Sequence, residues 1–527
     1  MKVTIQEYVP YESSRRWSLH ESYFRDMAGL THLWTSNYPI CRQHAQLVVE
    51  LVRELEQSGK LKAGDEVNVL EVGAGQNRGE AAHSFLRALA GGCGPEGAKL
   101  AARVRYILSD ASAEPVRDAL KKRALQELAA KGRIVPALFD PRSPAKLNDL
   151  EGKPLKGTLT ATIANFTFST MPLKMVRKNN TAWLEKHVML RADILDEDKA
   201  DPNLIEPSLA FPRRQKLMKR IVASHQWRAT KLNQLFSDPV HADAVTEILK
   251  PFETATMPYP FMALDLVRTL EGKTVPGGLF LVNDYGSVSA ADLKGRDEHE
   301  PQHAGTTMIH ALNFAILDAW TKRAGYALAR TTSALRSLNV AAIRYGKEMP
   351  AGFRAAFDKG YLENEDGEDL VDFTEAAEKL IAEEDHAVAA RFLKRCAKLD
   401  PENVEVLYAL GEACVEAESY EAALAPLEKA RALDAAGAYE IDFLLGRALH
   451  GLQRHGEAIE AFQRSMAKTE TPYGHANLGL VYEDLKDFKK AYQAYRRALE
   501  LDPDDESAQT LLSQLATTYA DAALAGS

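Results

Sequence analysis

Between residues 66 and 165, short apolar runs alternate with longer stretches in which apolar positions recur every three or four residues. Short runs of this kind are typical of buried strands, and the longer stretches are typical of helices that cover a sheet. Strands that alternate with helices predict a mostly parallel sheet in an α/β domain. The predicted strands are residues 67–72, 104–109, 133–138, 159–164 and 279–283, with a terminal hairpin over 326–333 and 338–345, and the predicted helices include 80–90 and 113–130.

The first 60 residues carry many aromatic side chains and show no strand alternation. Apolar positions between residues 40 and 55 have helical spacing, so we predict an N-terminal helical cap over residues 1–60. Thr35 and Ser36 precede that helix in a polar turn. They either pack with the cap on the sheet or face a ligand pocket.

A long insertion separates the fourth predicted strand from the fifth, at about residues 173–270. Its polar, charged pattern predicts mostly helices. Long insertions at strand ends often act as lids or substrate platforms. We therefore expect a helical insertion that closes over the sheet edge, within a domain that spans residues 61–348.

A motif repeats about every 34 residues beyond an acidic linker that we predict at residues 349–370. Each copy begins with a Leu-Gly pair, at Gly411, Gly446 and Gly479, and alanine and aromatic positions follow at fixed spacing. The pattern resembles tetratricopeptide (TPR) repeats, which implies an all-α solenoid over residues 371–527. Such arrays bind proteins or peptides, which is the partner we expect. Bracing of the neighbouring domain and self-association are the alternatives.

Composition and charge indicate how many domains the chain has and which kinds of partner and cellular compartment fit it. A chain of 527 residues is too long for one ordinary core, so two or three domains are expected. The net charge of −9 argues against nucleic acid as a partner. The four cysteines form no C-x-x-C pair, which fits a reducing compartment and indicates no metal site. With no signal peptide and no long apolar run, we expect a cytoplasmic protein without a membrane partner.

A glycine-rich turn follows the first predicted strand. Its glycines let a ligand approach the main chain, and the next helix points free N–H groups at that ligand. Dinucleotides favour G-x-G-x-x-G, but the third glycine, Gly79, comes one residue late. The E-x-G-x-G order favours S-adenosylmethionine (SAM), which would bind at Glu71, Gly73, Ala74 and Gly75.

Polar residues follow the predicted strands at their carboxyl ends, where open α/β sheets bind ligands. An acid after the second strand is placed to hold ribose hydroxyls, the pair after the third would flank an adenine, and the pair after the fourth would lie beside the methionine end. Each also has an alternative as a helix cap or turn residue. The candidates are Asp110 and Ala111, Phe139 and Asp140, Asn165 and Phe166, and Asp284 after the fifth strand.

Four segments resemble the MidA-type class I SAM-dependent methyltransferases, a family that includes the mitochondrial complex I assembly arginine methyltransferase. They are V-L-E-V-G-A-G at 69–75, the stretch 164–172, G-L-F-L-V-N-D-Y-G at 278–286 and residues 306–314. The resemblance covers about residues 30–345 and omits the repeats. It implies a seven-stranded, Rossmann-like sheet and methyl transfer, with SAM as cofactor and S-adenosylhomocysteine as product.

The chain departs from this family after the fourth strand, where the family motif reads roughly N-E-x-x-D-A-L-P. Phe166 and Ser169 stand where the motif has its two acids. Those acids would be natural partners for a guanidinium, so their replacement argues against arginine as the acceptor. Phe166 and Phe168 either form a slot for a planar acceptor or simply pack.

Three residues are the catalytic candidates: Asn165 and Asp284 at strand ends, and His303 in the loop that follows. Either His303 or His310 serves as a base for an acceptor of moderate pKa, or these loop histidines are neither base nor ligand. Methyl transfer itself asks mainly for alignment of donor and acceptor, so a base is needed only when the acceptor loses a proton late.

Together these observations predict a SAM-dependent methyltransferase whose protein acceptor is recruited by the TPR array. One alternative is a small-molecule methyltransferase that uses the array for assembly. Another is a non-catalytic scaffold that binds SAM or nothing. A dinucleotide oxidoreductase is disfavoured by the position of Gly79. The acceptor atom, the partner and the oligomeric state stay open.

Overall fold

The computed structural model describes residues 2–14, 17, 37–73, 79–193, 221–294, 302–304, 307–333, 338–364, 366–434, 437 and 439–525. The chain divides into two compact units, Met1–Glu368 and Asp369–Ser527. Within these described ranges, no helix is both long enough and apolar enough to cross a membrane.

The strands all belong to the first unit. They are β1 (Lys2–Pro10), β2 (Val67–Val72), β3 (Val104–Asp110), β4 (Ile134–Leu138), β5 (Leu159–Asn165), β6 (Lys174–Asn179), β7 (Ala182–Asp193), β8 (Ile221–Thr230), β9 (Thr254–Tyr259), β10 (Thr274–Ser287), β11 (Gln302–Ala304), β12 (Thr307–Ile309), β13 (Leu312–Asn313), β14 (Ala327–Arg330) and β15 (Leu338–Arg344).

Helices lie between these strands and continue beyond them. They are α1 (Tyr38–Gln57), α2 (Glu80–Arg87), α3 (Gly94–Ala101), α4 (Ala113–Ala119), α5 (Arg123–Ala130), α6 (Leu232–Leu235), α7 (Pro239–Leu249), α8 (Phe261–Glu271), α9 (Ala315–Ala324) and α10 (Ala351–Phe357). Short 3₁₀ turns occupy Tyr11–Ser13 and Ala290–Leu293, and π-helical turns occupy Ala88–Gly92 and Asp358–Leu362.

The main sheet has the strand order β14-β15-β10-β5-β2-β3-β4, and β13 pairs with the end of β10. The five strands from β10 to β4 run parallel, whereas β15 is antiparallel to β10 and β14 is antiparallel to β15. All six residues of β2 are buried, because helices cover both faces of a parallel sheet. The mixed α/β fold and the mostly parallel sheet are therefore confirmed, and the two-residue strand β13 adds an eighth strand to the predicted seven.

One predicted helix of this sheet is wrong in extent. The stretch 113–130 forms two helices, α4 and α5, with a break over Leu120–Lys122. The amides of Lys121 and Lys122 bond back three residues, to Asp118 and Ala119. This turn of tighter pitch ends α4 before α5 begins.

The insertion is not mostly helical as predicted. Strands β6, β7 and β9 form a second, antiparallel sheet in the order β1-β7-β6-β9, and β8 pairs with β7. Helices α6, α7 and α8 account for the rest of its described part. These strands carry lysine, arginine and glutamate at many positions. Apolar and polar residues therefore do not alternate clearly along them, and the sequence pattern does not indicate strands.

The predicted N-terminal helical cap is wrong for its first part and right for its last. Residues of β1 pair antiparallel with β7, so the chain starts as an edge strand of the second sheet. The predicted helix 40–55 is present as α1, whose amino end is capped by the Asn37 side chain. Thr35 and Ser36 lie outside the described residues.

The predicted linker 349–370 is wrong in its first half. Phe353, Phe357 and Tyr361 of α10 and the following π-helical turn are buried against α1, in the core under the main sheet. The second unit then begins within helix α11 (Asp366–Ala382).

The second unit is all-helical. After α11 it contains α12 (His386–Leu399), α13 (Val404–Glu416), α14 (Tyr420–Leu433), α15 (Ile441–Gly451), α16 (His455–Lys468), α17 (Pro472–Asp484), α18 (Phe488–Leu501) and α19 (Glu506–Ala525). A Cβ on Gly411, Gly446 or Gly479 would lie within 2.6 Å of Leu427, Phe462 or Tyr495 of the paired helix. The repeating glycines therefore allow the helix pairs to pack closely, as the pattern predicted.

Candidate functional site

Gly73 follows the end of β2. It has φ +77°, a left-handed conformation that favours glycine, and no atom of the described residues lies within 4 Å of a Cβ built there. Ala74 and Gly75, the other predicted cofactor residues of this turn, lie outside the described residues. Gly79 also has a positive φ, but its Cβ would meet Leu125 at 2.6 Å, so this glycine serves the packing of α2.

Three of the predicted strand-end residues lie on one face of this edge together with Asn283, which was not predicted, and alternation decides which face each side chain occupies. Glu71 lies opposite Leu108 and Ile163, and Asn283 lies opposite Asn165. In a strand, residues two apart share a face. Glu71, Asp110, Asn165 and Asn283 therefore share the face of the sheet that packs on α1, whereas Asp284 belongs to the opposite face.

Glu71 is almost fully buried at the end of β2. Its carboxylate lies beside the phenol of Tyr106 on β3. Burial, together with the charge of Glu71, raises the pKa of Tyr106 well above its usual value. We expected Glu71 to bind ligand hydroxyl groups directly. Its contact with Tyr106 gives it a second, structural role, which is to orient the Tyr106 phenol below the strand ends.

Asn165 and Asn283 are neighbours on adjacent parallel strands. The amide nitrogen and oxygen of both side chains are buried and have no hydrogen-bond partner among the described residues. A buried polar atom without a partner costs roughly 1–3 kcal/mol, so two adjacent amides in this state are uncommon. A polar ligand at this position on the edge would supply the hydrogen bonds that the two amides lack.

Asp110 and Asp140 differ in their surroundings. Asp110 is half-buried at the end of β3, next to exposed Ala111, and accepts a hydrogen bond from the Ser112 amide at 3.2 Å. Asp140 is held by the Arg142 guanidinium through two bonds of 2.9 Å. Partial burial alone would raise the pKa of Asp140, but the bonds and charge of Arg142 lower it below its usual value.

Asp284 is fully buried and anchors the loop after β5. Its two oxygens accept hydrogen bonds of 2.9 Å from the amides of Ser169 and Tyr285. Burial outweighs these hydrogen bonds and raises the pKa of Asp284 to about 6. The carboxylate therefore positions the loop 166–171 rather than reaching a substrate, so the prediction that it acts directly in catalysis has no geometric support.

Phe166 adopts an unusual backbone conformation, with φ +48°. Its amide donates to the Asn283 carbonyl at 2.9 Å, and its ring packs on Tyr285 with centroids 4.7 Å apart. Strain of this kind persists only where the surroundings hold it, and it often occurs at functional sites. The half-exposed Phe166 residue therefore lies at the carboxyl end of β5, next to Asn165.

Two aromatic residues are not available to a ligand in the expected way. Phe168 is buried against Phe280, so the slot expected from Phe166 and Phe168 does not form. Phe139 is 1% exposed and belongs to the core, so the prediction that its ring flanks an adenine is wrong. Its amide continues the sheet by donating to the Asp110 carbonyl at 2.8 Å.

The two histidines of the loop after β10 have different places. His303 lies in β11, which pairs with β12 outside the main sheet. His310 is buried, its ring is 2.8 Å from the Tyr11 hydroxyl, and its amide donates to the Ser169 carbonyl. His310 thus ties the N-terminal segment to the loop 166–171 and does not present a free base.

Sequence reasoning missed Asn283 and Tyr285 as site residues and missed Tyr11 as the partner of His310. The motif N-D-Y-G drew attention to Asp284, but the pairing of β10 with β5 places its neighbour Asn283 on the same face as Asn165. The pairing of Tyr11 with His310 joins residues 299 positions apart, and no local pattern indicates it.

A mostly parallel α/β sheet with polar groups at its carboxyl edge has the architecture of the doubly wound class, in which ligands bind at that edge. The family model described as "Putative S-adenosyl-L-methionine-dependent methyltransferase" matches residues 46–310. The chain belongs to this family, which confirms the MidA-type resemblance. Two models of the tetratricopeptide repeat match residues 380–440 and 472–505 of the second unit.

Solved structures resemble parts of the chain. An uncharacterized COG1565 superfamily protein from Burkholderia thailandensis is 16% identical, with 66% of this chain and 90% of that one covered and a TM-score of 0.39. The MamA protein is 27% identical, with 29% and 89% covered and a TM-score of 0.25. MamA from Desulfovibrio magneticus RS-1 is 19% identical, with 30% and 89% covered and a TM-score of 0.27. No curated protein matches the chain.

Proposed function

We propose that the protein is a SAM-dependent methyltransferase that acts on a protein acceptor recruited by its TPR repeats. Membership of a family described as methyltransferases supports the reaction, and the repeats support a protein partner. The observation that carries the proposal is the pair of unpartnered amides, Asn165 and Asn283, at the edge of a sheet of this family.

The residues at this edge fit the chemistry of SAM. The cofactor carries an ammonium, a carboxylate and two ribose hydroxyls, and it has no phosphate. The Asn165 amide can both donate and accept, the Asp110 carboxylate can accept from hydroxyls, and Gly73 leaves the main chain accessible. These three residues would hold the cofactor.

The protein's contribution to the reaction is placement. SAM supplies a methyl group already activated by the sulfonium. Asn165 would fix the methionine end, Asp110 would fix the ribose, and the Phe166 ring would cover the side from which the acceptor enters. Alignment of the reacting atoms can supply several kcal/mol of the barrier reduction, about 7 kcal/mol or more in well-oriented cases.

The test is transfer of label from methyl-tritiated SAM to macromolecules of a cell extract, with the full chain as enzyme. We expect acid-precipitable label that depends on the protein and that falls at least about tenfold in Asn165→Ala, roughly 1.4 kcal/mol of lost transition-state binding. Thr162→Val on the same strand is the matched control, because its hydroxyl has no partner among the described residues and lies on the other face.

Label found only in small molecules would favour the small-molecule alternative and refute the protein acceptor. No transfer at all would refute the proposal and favour the non-catalytic scaffold. Equal activity in Asn165→Ala and the wild type would show that the unpartnered amide is not part of the cofactor site.

A further inference from the structure

One face of the second unit is lined by acidic and aromatic side chains. Most of the surface of α13 is buried, and the accessible side chains form one stripe along the helix. The buried positions are 406, 407, 410, 411, 413, 414 and 415. That stripe consists of Glu405, Tyr408, Glu412 and Glu416, spaced three or four residues apart. Such spacing places side chains on one side of a helix.

The stripes of three helices join into one surface, which we call the acidic face. It comprises Glu405, Tyr408, Glu412 and Glu416 of α13, Glu440, Phe443, Arg447 and His450 at α15, and Tyr473 and Asp484 of α17. Glu416 forms an ion pair with Arg447 of α15. Glu440, at the start of α15, accepts a hydrogen bond from the Tyr473 hydroxyl of α17 at 2.6 Å. Neighbouring stripes therefore contact each other directly.

The charge on this face is one-sided. It presents the carboxylates of Glu405, Glu412, Glu416, Glu440 and Asp484, and the basic side chains beside them are Arg447, His450 and His386. The same imbalance marks the whole unit, since Asp369–Ser527 contains 30 acidic and 16 basic side chains, a net charge of −14, whereas Met1–Glu368 has 44 and 49, a net charge of +5.

Carboxylates and aromatic rings alternate within the face. Glu412 is half-buried beside Tyr408, and burial together with repulsion from Glu416 raises the pKa of Glu412. The Tyr408 and Tyr439 rings pack with centroids 5.0 Å apart, and Tyr473, which is 39% exposed, packs on Phe443 at 4.9 Å. A cation placed among these groups would relieve the repulsion and contact the aromatic faces.

We propose that the acidic face binds a lysine- and arginine-rich segment of the partner protein. The proposal deepens the proposed function by naming the chemical class of the recruited partner, and it does not require that methyl transfer occur. Cationic side chains would pair with Glu405, Glu412 and Glu440, and their stems would lie along Tyr408 and Tyr473.

The experiment is fluorescence anisotropy of the full chain, without SAM, against two short labelled peptides. In one peptide lysine and arginine alternate with glycine, and in the other glutamate replaces every basic residue. We expect saturable binding of the basic peptide, weakened by salt, and no binding of the acidic one. Salt dependence by itself does not identify the face, so variants are required.

Three variants locate the binding. The triple change Glu405→Gln, Glu412→Gln and Glu440→Gln should weaken binding at least about tenfold, because each ion pair contributes a few-fold. The matched triple Glu421→Gln, Glu428→Gln and Glu460→Gln removes the same charge from exposed sites on α14 and α16 and should change affinity less than about threefold.

Arg447→Gln should act in the opposite direction and strengthen binding about two- to threefold, since it releases Glu416 from its ion pair. This increase cannot arise from misfolding, so it guards against a variant that is merely unstable. Equal binding of both peptides, no binding of either, or equal losses in the two triple variants would overturn the proposal. Failure of SAM to bind or react would leave these outcomes unchanged.

Discussion

Replacing Asp284 by asparagine should change how the stability of the first unit depends on pH. The carboxyl is fully buried and accepts hydrogen bonds from the amides of Ser169 and Tyr285. Burial raises its pKa from 3.8 to about 6 in the folded protein. Asparagine has nearly the same shape and stays neutral, so Asp284→Asn removes this titration while one amide oxygen still accepts from the loop.

The magnitude follows from the shift. About 2 pKa units correspond to roughly 3 kcal/mol between the charged and neutral forms. Because the folded-state pKa is raised, the contribution of Asp284 to stability is fully present below pH 4 and is lost as the pH rises through about 6. Relative to the wild type, Asp284→Asn should therefore gain about 3 kcal/mol between pH 4 and pH 7.

The assay is urea unfolding followed by tryptophan fluorescence at several pH values between about 4 and 7. All five tryptophans, at positions 17, 34, 183, 227 and 320, lie in Met1–Glu368, so the signal reports the first unit alone. Asp243→Asn on α7, where the side chain is 60% exposed, is the control and should give a curve parallel to that of the wild type.

A constant difference in the free energy of unfolding between wild type and Asp284→Asn across this pH range would refute the reasoning. A difference that moves in favour of the wild type as the pH rises would refute it too. Either result would mean that Asp284 is better stabilised as an anion than its burial indicates.

Three further changes test the packing of the first unit through the same fluorescence signal. Gly286→Ala should cost about 3 kcal/mol, because its Cβ would lie 1.7 Å from the Leu312 carbonyl oxygen; unchanged stability would contradict this close approach. Thr162→Val should gain about 1 kcal/mol, since it removes a buried hydroxyl without a partner among the described residues; a loss would indicate an unseen hydrogen bond. Glu54→Ala should cost about 3 kcal/mol, because the Arg344 side chain is only 3% exposed and loses its ion-pair partner; a cost near zero would contradict the burial of that charge.

The parallel sheet was predictable because its strands are buried on both faces. The predicted bounds 67–72 match those of β2, and β3, β4 and β5 differ from their predictions by one residue each. Continuous burial makes a short apolar run that stands out from its neighbours. The TPR repeats were predictable for a similar reason. Each glycine of the Leu-Gly pairs packs closely on the paired helix, so a glycine recurs at the same place in each repeat.

The second sheet was not predictable from the same signal. Strands β6 and β7 are antiparallel, and lysine, arginine and glutamate occupy many of their positions, including buried ones such as Lys186. The pattern therefore resembles a polar helix surface. Strand β1 pairs with β7 across more than 170 residues, so nothing near the N-terminus indicates its partner.

The candidate site was predictable as an edge but not as a set of side-chain positions. Residues at strand ends do gather there, yet Asp284 turns to the face opposite Asn165, and Phe139 enters the core. Which face a residue occupies depends on strand register, and a one-residue difference reverses it. Asn283 emerged only when the pairing of β10 with β5 was known.

Cofactor binding is the most direct test of the account. The unfolding free energy of the first unit is measured by tryptophan fluorescence with SAM, S-adenosylhomocysteine or NAD, for the full chain and for Gly73→Arg. At ~100 times the dissociation constant, SAM and S-adenosylhomocysteine should add about 2.7 kcal/mol, and NAD should add nothing. Gly73→Arg should lose this gain, yet without ligand it should cost only ~1–2 kcal/mol of left-handed strain, since no atom of the described residues lies within 4 Å of a Cβ at this position. Stabilisation by NAD instead, or by none of the three ligands, would contradict the account.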